Sequence, residues 1–527
     1  MKKSIIIGLL LICGIIFSSA IFAEANIDPS NNNGTLIING ESKTISNSKY
    51  YTNQSNENTI IIMNGGKLIG KSLNIIKEGS SESSNTNNIN NQDSNPENKD
   101  KDNNTQAPPE KPGENSTNSG NPPEKPGEDS ANSGNHPEKP GEDSANSGNP
   151  PEKTGEILEN NSGTEPENNQ EIGSEDSEFY GINAAVLTLY NSNTTISDSE
   201  ITTNGNGANA VFATNNDSSH SGATINIKDV EIQTYQDKSR GLDATYGGII
   251  NAENVKINTR GGSCAAVATD RGEGIVNVIN SELNTGVDGG TGKGSPCIYS
   301  TGNITVNDSE GTAQNAQIAC IEGKNSANIV NSEFRCSAKG NRESSGEYVD
   351  LGGIFIYQSM SGDADNGTAV FNGKDSTLSI SSDSEYYKTA PMFHVTNTAC
   401  NISLDNTILE FGSNILLNIS SQDQWGESGS NGGDVEFKAN NENLKGNIIV
   451  DNISSLKFNL KKSQLEGGIN PQNNSGNTNI FIESDSTWTL TANSHLTNLT
   501  NKGTINYGNY TLYVNGKAYN ASNPYKG

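Results

Sequence analysis

From Thr195 to Cys336 apolar and polar residues alternate with period two, in runs such as Ile225-Asn226-Ile227, Val276-Asn277-Val278 and Ile304-Thr305-Val306. Such alternation predicts half-buried strands. One phrase returns with it: Asp198-Ser199-Glu200-Ile201-Thr202-Thr203, Asp229-Val230-Glu231-Ile232-Gln233-Thr234, Asn254-Val255-Lys256-Ile257-Asn258-Thr259 and Asn280-Ser281-Glu282-Leu283-Asn284-Thr285. Shorter forms start at Asp308 and Asn331, so successive starts lie 31, 25, 26, 28 and 23 residues apart. A repeat of roughly 20–50 residues marks a solenoid, a propeller or an array. These repeats are too short for a four-stranded blade and carry no helical periodicity. Three short strands joined by turns fit one coil of a parallel β-helix, in which coils stack about 4.8 Å apart and each covers its neighbour's apolar edge. The variable steps place insertions in the turns. Ile201, Ile232, Ile257 and Leu283 are expected to point inward.

A second strand column runs beside the first, through Ala210-Val211-Phe212-Ala213-Thr214, Gly241-Leu242-Asp243-Ala244-Thr245, Ala266-Val267-Ala268-Thr269-Asp270, Cys297-Ile298-Tyr299-Ser300-Thr301, Ile318-Ala319-Cys320-Ile321-Glu322 and Ile354-Phe355-Ile356-Tyr357-Gln358. Aligning Cys320 with Val211, Leu242, Val267 and Ile298 makes it an inward residue and turns Cys297 the other way. The fold class is all-β, a parallel β-helix solenoid with a long insertion. Residues 26–79 read as N-terminal strands and first coils, 178–430 as β-helix, and 431–527 as C-terminal coils ending in a cap, Tyr510-Thr511-Leu512-Tyr513-Val514. Between them, residues 80–177 read as a disordered linker. There a 14-residue unit, PPEKPGENSTNSGN and its variants, repeats in tandem from Pro108. Such a Pro-, Asn-, Ser- and Glu-rich segment has too few apolar residues to bury a core. We read it as a surface loop on one body, since closure entropy grows only logarithmically with length.

The chain opens Met1-Lys2-Lys3, continues with an apolar run from Ile5 to Phe22, and reaches Ala23-Glu24-Ala25. This is the pattern of a signal peptide over 1–25, with an uncleaved anchor as the alternative. The expected location is secreted or at the cell surface, with no transmembrane segment after signal removal. A formal net charge of −28 argues against nucleic acid and anionic membranes as partners. Only 31% of residues are hydrophobic; a solenoid tolerates this because its thin shared core needs one or two apolar residues per strand. Cys264, Cys297, Cys320, Cys336 and Cys400 remain after signal removal, an odd number that suits buried thiols better than a disulfide framework.

Several phrases carry a family resemblance: Ser239-Arg240-Gly241-Leu242-Asp243-Ala244-Thr245-Tyr246-Gly247-Gly248, Ala268-Thr269-Asp270-Arg271-Gly272, Ile356-Tyr357-Gln358-Ser359-Met360-Ser361-Gly362-Asp363-Ala364, and the ending Thr487-Trp488-Thr489-Leu490-Thr491 with Tyr510 to Gly516. Over about 179–516 the chain resembles exported, adhesin-like, right-handed parallel β-helix proteins of gut and anaerobic bacteria, with pectin-lyase-like architecture. The resemblance implies surface location and a non-catalytic, adhesive role, and supplies no activity to carry over. The proline-rich insertion departs from that pattern.

Candidate chemistry gathers on one ladder. Arg240 with Asp243, and Asp270 with Arg271, fall on successive coils, where their side chains can approach within about 5–10 Å. Tyr246, Tyr299 and Tyr357 lie near the same ladder and offer surfaces on which sugars stack. The functional reading is a glycan-binding groove on a chain expected to be monomeric; ordinary surface ion pairs and turn contacts are the bland alternative. Asp363-Ala364-Asp365-Asn366-Gly367 begins like a calcium loop, with Asp363 and Asp365 as ligands, but lacks the glutamate expected at its twelfth position. A calcium-assisted carbohydrate-binding module is thus one rival. A polysaccharide lyase or hydrolase is another, needing clustered carboxylates and a base. No phosphate loop, dinucleotide fingerprint or nucleophile elbow occurs, and no cofactor is expected apart from calcium.

Overall fold

A computed structural model describes residues 35–81, 174–215, 222–289, 293–341, 348–474 and 476–526. The predicted signal peptide and most of the predicted linker lie outside the described residues. The remainder is a parallel β-helix of three-sided coils. The first side is a parallel sheet of 12 strands, beginning Leu36–Asn39, Ile60–Met63, Val186–Leu189 and Val211–Thr214 and closing with Asn447–Val450. The second and third sides are the two halves of one bent ribbon. Its first strands, such as Asn193–Thr203, Thr224–Thr234 and Ile249–Thr259, are continuous 11-residue segments.

The bend explains the recurring phrase. Its first residue takes a left-handed backbone in every coil: Asp198, Asp229, Asn254, Asn280, Asp308 and Asn331 all have φ between 47° and 56°. Asp and Asn bear that conformation at lower cost than other non-glycine residues. Where a serine follows, as at Ser199, Ser281, Ser309 and Ser332, it carries the hydrogen bonds of the corner, whereas Val230 and Val255 stand there in two coils. The Ser309 hydroxyl donates to the Asn307 carbonyl at 2.7 Å and accepts the Ser281 amide at 3.0 Å. Ser332 and Ser376 repeat the arrangement one coil on. Backbone groups that a bend would strand are thereby satisfied.

Three apolar columns converge inside. The first side contributes Val186, Val211, Leu242, Val267 and Ile298, paired in that register. The second contributes Ile225, Ile250, Val276 and Ile304. The third contributes Ile201, Ile232, Ile257 and Leu283, each fully buried as the alternation predicts. Where Phe334 enters the third column, its neighbour is Gly311, at which a Cβ would meet the ring at 2.5 Å. Small beside large keeps the column filled.

The alignment of Cys320 is corrected by one residue. Ala319 pairs with Ile298 and takes the inward place, while Cys320 pairs with Tyr299 on the outer surface. Cys297 is fully buried in the main core, not turned outward. The cause is that the outer surface of this coil is also covered, by Phe355 and Tyr357, so both registers read as apolar and alternation cannot choose between them. The five described cysteines are free and buried, and burial pushes the Cys264 and Cys336 thiols up to about 12.

The coil before the insertion and the coil after it are adjacent. Ile60–Met63 pairs with Val186–Leu189, and Lys67–Lys77 with Asn193–Thr203. The two ends of the insertion are joined at its base. Lys77 Nζ, fully buried, donates to the Gln54 and Gly79 carbonyls at 2.7 and 2.8 Å, and Asn183 Nδ2 donates to the same Gly79 oxygen at 2.9 Å. Ser81 N–H reaches the Asn206 carbonyl at 2.7 Å. The predicted linker is also shortened at its far end, because Ser174–Phe179 is a single helical turn and a half whose Glu178 and Phe179 are anchored on the β-helix.

Strand pairing continues through residue 430 without a break, from Ala399–Asp405 to Asp434–Asn440. The chain then finishes as expected of a cap. Leu512–Val514 pairs in parallel with Ser494–Leu496 and turns back antiparallel against Lys517–Tyr519, which covers an open edge.

One corner carries a carboxylic acid at the serine position. Glu442 replaces the serine, accepting the Thr407 amide at 2.9 Å and, through its own N–H, donating to Ser463 at 2.8 Å. Burial raises its carboxyl to about 7. A carboxyl raised above its unfolded value binds its proton more tightly in the folded chain. Its stabilising contribution is therefore complete below about pH 4.5 and is lost as pH rises through about 7. Glu442→Gln keeps the amide acceptor and removes the charge. It is expected to raise stability at pH 8 by on the order of 1 kcal/mol and leave it unchanged at pH 4, as melting curves at the two pH values would show.

Candidate functional site: a cleft on the outer surface of the first side

Outward residues of the first side form a column from Phe212 through Asp243, Ala268, Tyr299, Cys320, Phe355 and His394. On a bare sheet these would meet solvent. Here they are covered, because excursions between strands fold over them. The turn Ser174–Phe179, the stretches 293–296, 314–317, 339–341 and 348–350, and Asp363 wall a cleft of about 640 Å³. That is within the size range of sites that enclose a small ligand.

The floor is a buried charge cluster. Arg240 Nη2 lies 2.8 Å from Asp270 and 4.0 Å from Glu178, and Nε lies 3.5 Å from Asp243. Arg240, Asp243 and Asp270 are all nearly inaccessible. Burial raises Asp243 well above the usual carboxylate range, with the neighbouring Asp270 charge adding to the effect; Asp270 is raised less, because Arg240 opposes its burial. Burial and mutual repulsion thus push both carboxyls toward the protonated form, Asp243 the more strongly, while Asp270 has the shorter contact with Arg240. Glu178 is matched by Lys238 at 2.5 Å.

Beyond the cluster the floor turns aromatic. The Tyr299 hydroxyl donates to Glu322 Oε2 at 2.9 Å, and Ser359 donates to the same carboxylate. Phe355 stacks on Tyr357 at 4.6 Å, and Tyr357 meets Trp425 at 4.7 Å. His394 closes this end, its Nδ1 3.1 Å from the Leu351 carbonyl, and burial lowers it to about 4, so it is neutral. Tyr348 and Lys339 form part of the wall, with the ammonium 5.2 Å above the ring.

Of the residues singled out from sequence, Arg240, Asp270, Tyr299, Tyr357 and Asp363 line the cleft. Asp243 lies beneath its floor. Tyr246 is engaged elsewhere, stacked on Tyr180 at 5.4 Å. Arg271 serves as a wall tie, pairing with Asp363 at 2.6 Å and lying 3.9 Å above the Phe179 ring. Asp363 and Asp365 do not converge on a common point: Asp365 pairs with Lys324 at 3.0 Å. Among the described residues no group of three His, Cys, Asp or Glu side chains could hold a metal ion. Sequence reasoning missed Glu178, Glu322, Tyr348 and Trp425. Glu178, Tyr348 and Trp425 sit in excursions without strand alternation, whereas Glu322 ends the strand Ala319–Glu322, whose outer surface gave no signal of being covered.

A second, larger concavity of about 950 Å³ follows the corner between the second and third sides. It is lined by Asp198, Glu200, Asp229, Glu231, Glu282, Asp308 and further acids, with Lys256 among them. Many of these groups bond to one another across coils, as in Lys256 to Glu282 at 3.0 Å and Asn254 to Asp229.

No family model, curated protein or solved structure matches the chain. No described helix is long and apolar enough to cross a membrane.

Proposed function

We propose that this is an exported, adhesin-like surface protein of the pectin-lyase-like β-helix kind, which holds glycans in the cleft of its first side without cleaving them. One observation carries the reading: a roofed cleft whose lining mixes aromatic rings, Tyr299, Tyr348, Phe355 and Tyr357, with fixed polar groups. Rings accept the C–H faces of sugars, and prepositioned polar groups orient the hydroxyls. A glycan array probed with the full chain is expected to light a defined subset of sugars, with signals falling in Lys238→Ala and Tyr348→Ala. A blank array, or signals untouched by both variants, would contradict the reading.

The hydrolase reading has one observation in its favour, a cleft carboxyl, Asp270, raised by burial to about 6. Its nearest acidic neighbour, Asp243, lies under the floor, so the two do not flank a space for a glycosidic bond in the way such catalysis needs. Turnover of a polysaccharide, lost in Asp270→Asn, would overturn the binding role. The calcium reading gains no ligand cluster from the described residues. We expect chelation to leave the melting temperature unchanged.

A further inference from the structure

Resting on the glycan-binding reading, we infer that the cleft takes uncharged saccharides and rejects uronates. The argument is an inventory of charge. Lys238 is held by Glu178 at 2.5 Å, Arg240 by Asp270 at 2.8 Å, and Lys293 by Asp237 at 2.5 Å. The remaining lining cation, Lys339, sits above the Tyr348 ring. Against them the lining presents five carboxyls, including Asp350 and Asp363. Asp363 is itself tied to Arg271.

A uronate carboxylate entering this space must give up its water. Three of the four cations it meets, Lys238, Arg240 and Lys293, are already matched by carboxylates, the fourth, Lys339, lies over the Tyr348 ring, and the five lining carboxyls outnumber them and repel it. A sugar hydroxyl faces neither difficulty. It donates to a carboxylate and accepts from an ammonium or guanidinium without disturbing either pair. Tyr299 and Tyr348 keep part of their ring surface accessible, so the apolar face of a neutral ring has somewhere to lie. The chain's overall charge of −28 adds a long-range repulsion of the same sign.

Affinity electrophoresis of the full chain through gels holding neutral polysaccharides (xylan, mannan, mixed-linkage glucan), polygalacturonate or chitosan tests this at low and high salt. Retardation by at least one neutral polymer, unchanged by salt and weakened about tenfold in Tyr348→Ala, with none by polygalacturonate, is the expected result. Retardation by polygalacturonate, lost in Tyr348→Ala, would overturn the charge argument while leaving the glycan-binding role standing. Retardation by chitosan alone would likewise overturn it, in favour of a cationic ligand. Free migration through every gel would remove the glycan-binding role and this inference together.

Discussion

Arg240→Ala is expected to destabilise the chain by about 3–5 kcal/mol, because it leaves a buried Asp270 charge without its partner. The guanidinium lies within 4.0 Å of Glu178, Asp243 and Asp270, and removing it also opens space under the Ser174–Phe179 turn. Asp243→Asn provides the contrast. Burial and the neighbouring Asp270 charge push Asp243 toward its protonated form, so a neutral side chain of the same shape should change stability by less than about 1 kcal/mol. Melting followed at pH 7 checks both. Because a repeat protein can unfold in sections, hydrogen exchange across 237–272 is the sharper readout. Equal losses in the two variants would mean that Asp243 is ionised at pH 7 and balances Arg240 as Asp270 does.

Two adjacent residues on the third side make the second comparison. Ile257 is fully buried between Ile232 and Leu283, and Ile257→Ala should cost about 2–5 kcal/mol through lost burial and an unfilled cavity. Lys256 points the other way, half exposed, and pairs with Glu282 at 3.0 Å. Lys256→Ala should fall within about 0.5 kcal/mol of the native chain. Chemical denaturation of the two variants separates them. Similar effects would mean that the strand does not alternate about a shared core.

Most of the fold was legible because its repeating unit is short and its inner columns are strictly apolar. The step of the phrase fixed the coil, and the 11-residue strands fixed two of its sides. What alternation could not reveal was why each phrase begins with Asp or Asn; that choice belongs to the left-handed corner, a property of backbone sterics. Alternation also failed at Cys320, where a second covering layer makes the outer surface as apolar as the inner one. The candidate site was legible to the same limited degree. Arg240 and Asp270 fall on neighbouring coils, so their approach follows from the repeat. Their burial does not, since the segments that roof them, around Glu178, Tyr348 and Asp363, are irregular excursions. A periodic argument has no purchase there. The same excursions hid Glu322's partner Ser359 and the Tyr357–Trp425 contact.

The most direct test is a crystal structure of the chain soaked with the oligosaccharide that binds best. The account predicts sugar density in the cleft of the first side, against Tyr348 and Tyr299 and within hydrogen-bonding distance of the Lys238–Glu178 and Arg240–Asp270 pairs. Density instead along the acidic corner between Asp198 and Glu333, with the cleft empty, would contradict it.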